Sequence, residues 1–262
     1  MTSKPDITAL TDSGAITSGV LALLAEHTAV GVRTKELDKL AEEYIRAQGG
    51  VPAFLGYRGF PASVCTSVNG EVVHGIPSDY KLADGDLVSM DVGVKVRGWY
   101  TDAAITVAVG TVPEQTLRLL AVTYQALQTG IEQARPGRRT GDMGAAIQQE
   151  VEAAGFNVIR DCVGHGIGKS LHEQPSLPNY GTRGQGTKFK AGMALAIEPM
   201  VVTGSPTLQL AADHWTLTTE DSGLAAHFEE SVLVTEAEAV RLTPMPEGLL
   251  GVNQAAKLGK VS

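Results

Sequence analysis

The chain has little from which to build a covalent or membrane-spanning scaffold. Among its 262 residues are two cysteines, Cys65 and Cys162, and no CxxC pair. That sets aside a disulfide framework or a thiolate zinc site and fits a reducing compartment, so a cytoplasmic protein is expected. No run of 18 apolar residues is present and MTSKPDITAL lacks the apolar core of a signal peptide, so neither a membrane span nor secretion is expected. A cationic excess is missing too. Against 29 Asp and Glu stand 21 Lys and Arg, a formal charge of −8, which argues against a specific nucleic-acid partner and against binding to anionic membranes. What remains is an ordinary globular composition, 43% hydrophobic and 19% charged, with ample material for a core.

Residues 14–27 and 34–48 read as helices. In the second, Leu37, Leu40, Tyr44 and Ile45 line one face, Thr34 suits the N-cap and Gly49 suits the stop. Residues 62–110 alternate apolar and polar between Gly and Pro breaks, the pattern of strands and turns. Helical periodicity returns at 113–134, opened by Pro113, and at 140–154, where Met143, Ile147 and Val151 share a face; strands and loops then run to about 243. The order helix, helix, strands therefore occurs twice. GVRT at 31–34 and GRRT at 137–140 stand 106 apart, as do Gly49 and Gly155, and Asp91 and Glu198 follow Gly85 and Gly192 at an offset of 107. The expected fold class is α+β. Two pseudo-symmetric halves, about 5–110 and 111–243, form one domain over 1–245 with a cleft where they meet, and 246–262, carrying Lys257 and Lys260, is expected to be a flexible tail.

The chemistry lies in misplaced acids. LVSMDVGV at 87–94 is a buried strand but for Asp91. A bare carboxylate in an apolar interior costs several kcal/mol even after relaxation, so such a strand needs a cation, a metal or a proton. Asp91 and Asp102 are symmetric about KVRG at 95–98, which as a hairpin turn places them opposite each other with Cβ atoms about 5 Å apart. Glu198 in MALAIEPMVV repeats the anomaly, and Glu229 or Glu230 in HFEESVLV repeats it again. A nitrogen donor is available in GHGIGKSLHEQP at 164–175, from His165 or His172. Carboxylates with an imidazole suit hard or borderline divalent ions, Mn, Fe, Co or Zn, and a pair of them about 3.5–4 Å apart supports hydrolysis. VGHGIGKS misses the phosphate-cradling pattern GxxxxGK[ST] because Val163 stands where its first glycine belongs, and Pro175 and Pro178 follow where a helix should begin. His74, in VVHGIP, is by itself a weak signal.

VVHGIP, SMDVGV with Asp102 eleven residues on, GHGIGKSLHEQP, AIEPM and FEES, in that order, make the chain resemble the type I methionine aminopeptidases over roughly residues 5–245. The resemblance implies the pita-bread fold, two halves around a central antiparallel sheet, and a hydrolase that removes N-terminal methionine from nascent proteins and peptides ahead of a small second residue. It implies two divalent ions held by Asp91, Asp102, His165, Glu198 and Glu229, with Asp102 and Glu229 bridging, Glu229 taken over Glu230, and Glu198 also the general base. His74 and His172 match the histidines that hold substrate. Tyr57, Phe60, Cys65 and Trp215 match the methionine pocket. Two positions depart from the pattern: Leu171 stands where the family usually has Phe, and Phe54 where relatives often carry Cys. The implied partners are nascent chain ends, met at the ribosome by a monomer; no N-terminal extension of the kind some relatives carry is expected. The rival readings are an Xaa-Pro peptidase of the same fold and a non-catalytic pita-bread binding module.

Overall fold

The computed structural model describes residues 5–245; the tail 246–262 lies outside them. The described residues form four α-helices, one 3₁₀ turn at Tyr57–Gly59 and fifteen strands. The first half holds α1 (Ile7–His27), α2 (Thr34–Ala47), β1 (Val51–Pro52), β2 (Cys65–Val68), β3 (Glu71–Val73), β4 (Leu87–Val96) and β5 (Trp99–Ala108). The second opens with α3 (Glu114–Gln133), α4 (Thr140–Ala153), β6 (Asn157–Val158), β7 (Gly164–Gly166) and β8 (Glu173–Leu177). It continues with β9 (Ala194–Ile197), β10 (Met200–Val202), β11 (Leu208–Leu210), β12 (Leu217–Thr219), β13 (Ala225–His227), β14 (Glu229–Val234) and β15 (Ala239–Arg241). Nine strands make the main antiparallel sheet in the order β1-β4-β5-β14-β9-β7-β8, with β2 on β4 and β15 on β14.

The two halves begin alike. The Arg33 N–H donates to Glu36 Oε2 at 2.8 Å ahead of α2, and the Arg139 N–H donates to Asp142 Oδ2 at 2.8 Å ahead of α4. The same two arginines form isolated bridges to Lys81 and Lys188. Arg33, not Thr34, is thus the N-cap; Thr34 is the first helical residue, and its hydroxyl accepts from the Ser78 N–H at 2.8 Å. Pro113 likewise caps α3 rather than opening it.

The first helix starts at Ile7, seven residues before its periodicity becomes legible, with the Asp6 carboxylate accepting from the Ala9 N–H at 3.0 Å. The reason is a buried face that is polar. Ser13 and Thr17 are fully buried, and their hydroxyls meet Thr101 Oγ1 on β5, each at 2.8 Å, while Ser13 Oγ also donates to the Val94 carbonyl at 2.9 Å. Among the described residues α1 alone is long and apolar enough to match a membrane span. Here its Leu10, Val20, Leu21 and Leu24 are buried, and the helix packs on β4 and β5.

Alternation divides the β4–β5 hairpin. Val88, Met90, Val92 and Val94 join the main core with α1 and α2, while Ser89, Asp91 and Gly93 point the other way. The hairpin turns on two residues, Arg97 and Gly98, at φ 48° and 79°, the type I′ geometry that glycine makes easy. That tighter turn shifts the register from the expected one. Asp91 faces Ala104 and Asp102 faces Gly93, so the two acids are diagonal neighbours on one face rather than directly opposed. Gly93 is needed there: a Cβ would stand 2.7 Å from the Phe54 ring and 3.0 Å from Ala53 Cβ.

Thr101→Val keeps the shape of the α1–β5 contact and removes the hydroxyl that serves both Ser13 and Thr17. A loss of about 1–3 kcal/mol is expected in denaturant unfolding, with metal affinity unchanged.

Candidate metal centre

The sheet order gathers the acids. Asp91 lies on β4, Asp102 on β5, Glu229 at the start of β14, Glu198 one residue past β9 and His165 on β7, and these five strands are consecutive neighbours. Ala104 is the shared partner of Asp91 and Glu229, and Ala196 is the partner of His165. Both alanines are fully buried, so small side chains floor the place where the acids converge. Glu230 pairs with Ala103 and Ile197 on the other face, where Arg241 Nη1 donates to its Oε1 at 2.6 Å.

The carboxylates lack organic cations. Among the described residues no Lys or Arg pairs with Asp91, Asp102, Glu198 or Glu229; their near partners are imidazoles, His165 Nε2 at 3.5 Å from Glu198 Oε1 and His227 Nε2 at 3.8 Å from Glu198 Oε2. Asp91 Oδ1, Asp102 Oδ1 and Glu229 Oε1 are buried without a hydrogen-bond partner. Burial, reinforced by Asp102 and Glu198, holds Asp91 far above the usual carboxylate range. Burial does the same for Glu198, with Asp102 second, and for Glu229, with Asp102, Glu198 and Asp91 behind it. Asp102 is pushed by burial to about 7, held back by hydrogen bonds to Asp91 and the Ala103 backbone. Such carboxylates bind a proton or a multivalent cation, and one oxygen or nitrogen each of Asp102, His165 and Glu229 lie within 4.8 Å of one another. The residues fit divalent ions.

Imidazole chemistry agrees. His165 Nδ1 lies 2.9 Å from the Gly166 carbonyl, which can only accept, so the proton is on Nδ1 and the Nε2 lone pair faces Glu198. Burial depresses His165 despite that hydrogen bond. Desolvation, with His165, Arg58 and His74 nearby, takes His172 down to about 4, and burial takes His227 to about 3.

A cavity of about 160 Å³ opens on the acids. Its lining includes Asp91, Asp102, His165, Glu198 and Glu229 with His74, His172, Tyr57, Phe60, Cys65, Leu171, Trp215 and Phe54, and not Glu230. Cys65 pairs with Asp91 in register, which ties the apolar wall to the acids; Phe60 meets Trp215 edge-on at 5.2 Å. The Tyr57 hydroxyl lies 2.9 Å from His172 Nδ1, and the His172 and His165 rings are 4.3 Å apart. Two residues escaped the sequence reading. Arg58, exposed at φ 50°, also lines the cavity. His227, buried beside the acids, sits in HFEES itself, where the aromatic and glutamates drew attention away from it.

Buried, cation-hungry carboxylates on adjacent strands, with neutral imidazoles and a lined cavity, define a divalent-metal site. The sequence profile of metallopeptidase family M24 matches residues 8–236. Methionine aminopeptidase 1 of Bacillus subtilis is 46% identical over 213 residues, 81% of this chain and 86% of the relative. The crystal structure of the methionine aminopeptidase from Rickettsia prowazekii superposes with a TM-score of 0.90 at 40% identity, covering 91% of this chain and 97% of the other. Prolidase from Pyrococcus furiosus superposes with a TM-score of 0.75 at 23% identity, over 92% of this chain and 64% of its own, a likeness of fold alone. The chain belongs to metallopeptidase family M24 and, within it, to the methionine aminopeptidases.

The raised carboxylates set the pH response of chelator-treated protein. Their folded pKa values exceed the unfolded ones, so the folded state holds extra protons and loses stability as pH rises; the depressed histidines oppose this only below about 6.5. Between pH 6.5 and 8 the metal-free melting temperature should fall by about 3 °C or more per unit, the effect of roughly one proton. Added Mn²⁺ should reverse the trend, as scanning calorimetry would read.

Proposed function

We propose that this chain removes N-terminal methionine from nascent proteins and peptides, with a preference for a small second residue, using two divalent ions drawn from Mn, Fe, Co or Zn. Asp91, Asp102, His165, Glu198 and Glu229 would hold the ions, Asp102 and Glu229 bridging them. The observation that carries this reading is the arrival of these five donors from five neighbouring strands at one cavity with a thioether-compatible wall.

When bound, such ions polarise the scissile carbonyl and make water acidic near neutral pH. Glu198, 13% exposed at its side chain, opens on the cavity and takes the proton from the attacking water, then passes it to the departing amine. Neutral His172 is oriented by Tyr57: with the phenol donating to Nδ1, the ring proton sits on Nε2, where it donates to the carbonyl oxygen as charge develops. His74, at φ 61° on the cavity wall, holds the substrate near the ions. Phe60, Trp215, Tyr57 and Leu171 enclose the methionine side chain, whose thioether gains about 0.3–1.5 kcal/mol where its sulfur meets a ring, and Cys65, its thiol kept neutral by burial and by Asp91, adds a soft apolar contact. The work is done in the cytoplasm by a monomer that meets chain ends at the ribosome. Xaa-Pro cleavage is the weaker reading, since the proline peptidases resemble this chain in fold alone.

Chelator-stripped protein given Met-Ala-Ser and Ala-Pro-Ser, with and without Mn²⁺ or Co²⁺, should release methionine only, and only with metal. Release of alanine from the proline peptide would assign the rival activity, and silence on both would favour a binding module. Glu198→Gln and Asp102→Asn should each lower kcat by about 10²-fold or more while the metal-free protein melts at the same or a higher temperature, because a carboxyl that burial forces to take up a proton is replaced by a neutral amide. Leu171→Phe should alter the preference among first-residue side chains more than the turnover of methionine peptides; unchanged selectivity would put Leu171 outside the pocket.

A further inference from the structure

His227 is not among the five donors, yet it is placed as one. The residue ends β13 and is 1% exposed, and its Nε2 is buried with no hydrogen-bond partner. That nitrogen lies 3.8 Å from Glu198 Oε2 and 3.9 Å from Glu229 Oε2. These separations are too long for hydrogen bonds, whose heavy atoms stand about 2.7–3.2 Å apart. They match ligands of a shared ion: donors about 2.0–2.2 Å from one centre stand about 3 Å apart at right angles and about 4 Å apart when nearly opposed. One ligand atom each of Glu198, His227 and Glu229 lie within 4.8 Å of one another.

Glu198 is therefore flanked on both oxygens, by His165 on Oε1 and by His227 on Oε2. The second imidazole is as firmly delivered as the first. The His227 N–H donates to Thr106 Oγ1 at 2.8 Å and its carbonyl accepts from the same hydroxyl at 2.8 Å. Across β10 it pairs with Met200, two residues from Glu198, and along the chain it is two residues from Glu229. A histidine that served only to fill the core would use its polar nitrogens on neighbours or keep them wet; this one aims an unpartnered nitrogen at two carboxylates.

We propose that His227 Nε2 is a sixth metal donor, joining an ion with Glu198 and Glu229, the group in which its nitrogen lies, while His165 groups with Asp102 and Glu229. This rests on the reading of Glu198 and Glu229 as ligands. A second imidazole moves the site toward borderline ions, so Co²⁺, Fe²⁺ and Zn²⁺ gain over Mn²⁺ relative to a one-histidine set.

The test is made on the full chain, stripped and reloaded with two equivalents of Co²⁺. X-ray absorption should count two imidazoles over the bound cobalt pair; a count of one overturns the proposal whatever variants do. His227→Gln and His227→Leu, checked for unchanged metal-free circular dichroism, should weaken Co²⁺ and Zn²⁺ binding by calorimetry about tenfold or more and change the visible cobalt spectrum, while Mn²⁺ affinity moves less. Wild-type Co²⁺ affinity and spectrum in both variants would also overturn it. Wild-type protein that takes up none of these ions would instead overturn the site reading beneath it.

Discussion

Four carboxylates that repel one another inside an apolar sheet are the constraint around which this molecule is built. Asp91, Asp102, Glu198 and Glu229 have no Lys or Arg partner among the described residues, and three of them keep a buried oxygen without a hydrogen bond. Left alone they would hold protons; brought together with neutral imidazoles they suit cations. The surrounding fold makes that crowding tolerable. Each half contributes two of the acids, and the sheet order β4-β5-β14-β9 brings the pairs side by side.

The repeat explains why so symmetric a site can arise from one chain. Asp91, on β4, and Glu198, one residue past β9, stand 107 residues apart, and the helices in front of them are entered through the same arginine geometry, Arg33 with Glu36 and Arg139 with Asp142. Rigid helices on one face, packed through Val92, Val94 and the buried hydroxyls of Ser13 and Thr17, leave the other face free for charge. Period-two alternation then separates Glu229, turned to the cavity, from Glu230, satisfied by Arg241 behind the sheet.

Much of this is legible in the sequence, and the exceptions have physical causes. Asp91 could be found because a charge interrupts an apolar strand, and the second helix because its apolar stripe is wide. The first seven residues of α1 are not legible because their buried face is only Ala9, Leu10 and Ser13, and Ser13 does not read as core although it hydrogen-bonds inward. The hairpin register departs from the symmetric one because Lys95 and Val96 extend β4 and Arg97 and Gly98 alone complete the turn, which sets Asp102 opposite Gly93. His227 was hidden by its neighbours, since a histidine beside an aromatic and two glutamates has no period or spacing that marks it as facing a carboxylate.

Metal site and pocket are set by different parts of the chain, and that separation bears on specificity. The five candidate donors depend on strand pairing, so a register slip would move one of them to the wrong face. The apolar wall comes from the segment 54–65, from Leu171 ahead of β8 and from Trp215 ahead of β12, a satellite cluster outside the main core. Side chains there can change size with the sheet unmoved. Phe54, wedged over Gly93, and Leu171, buried against the same cluster, are the two places where this wall departs from the pattern its sequence resembles. The shape offered to a first residue is therefore free to differ between relatives that share the fold, and in this chain it is settled by packing among a handful of apolar side chains rather than by the acids that would do the chemistry.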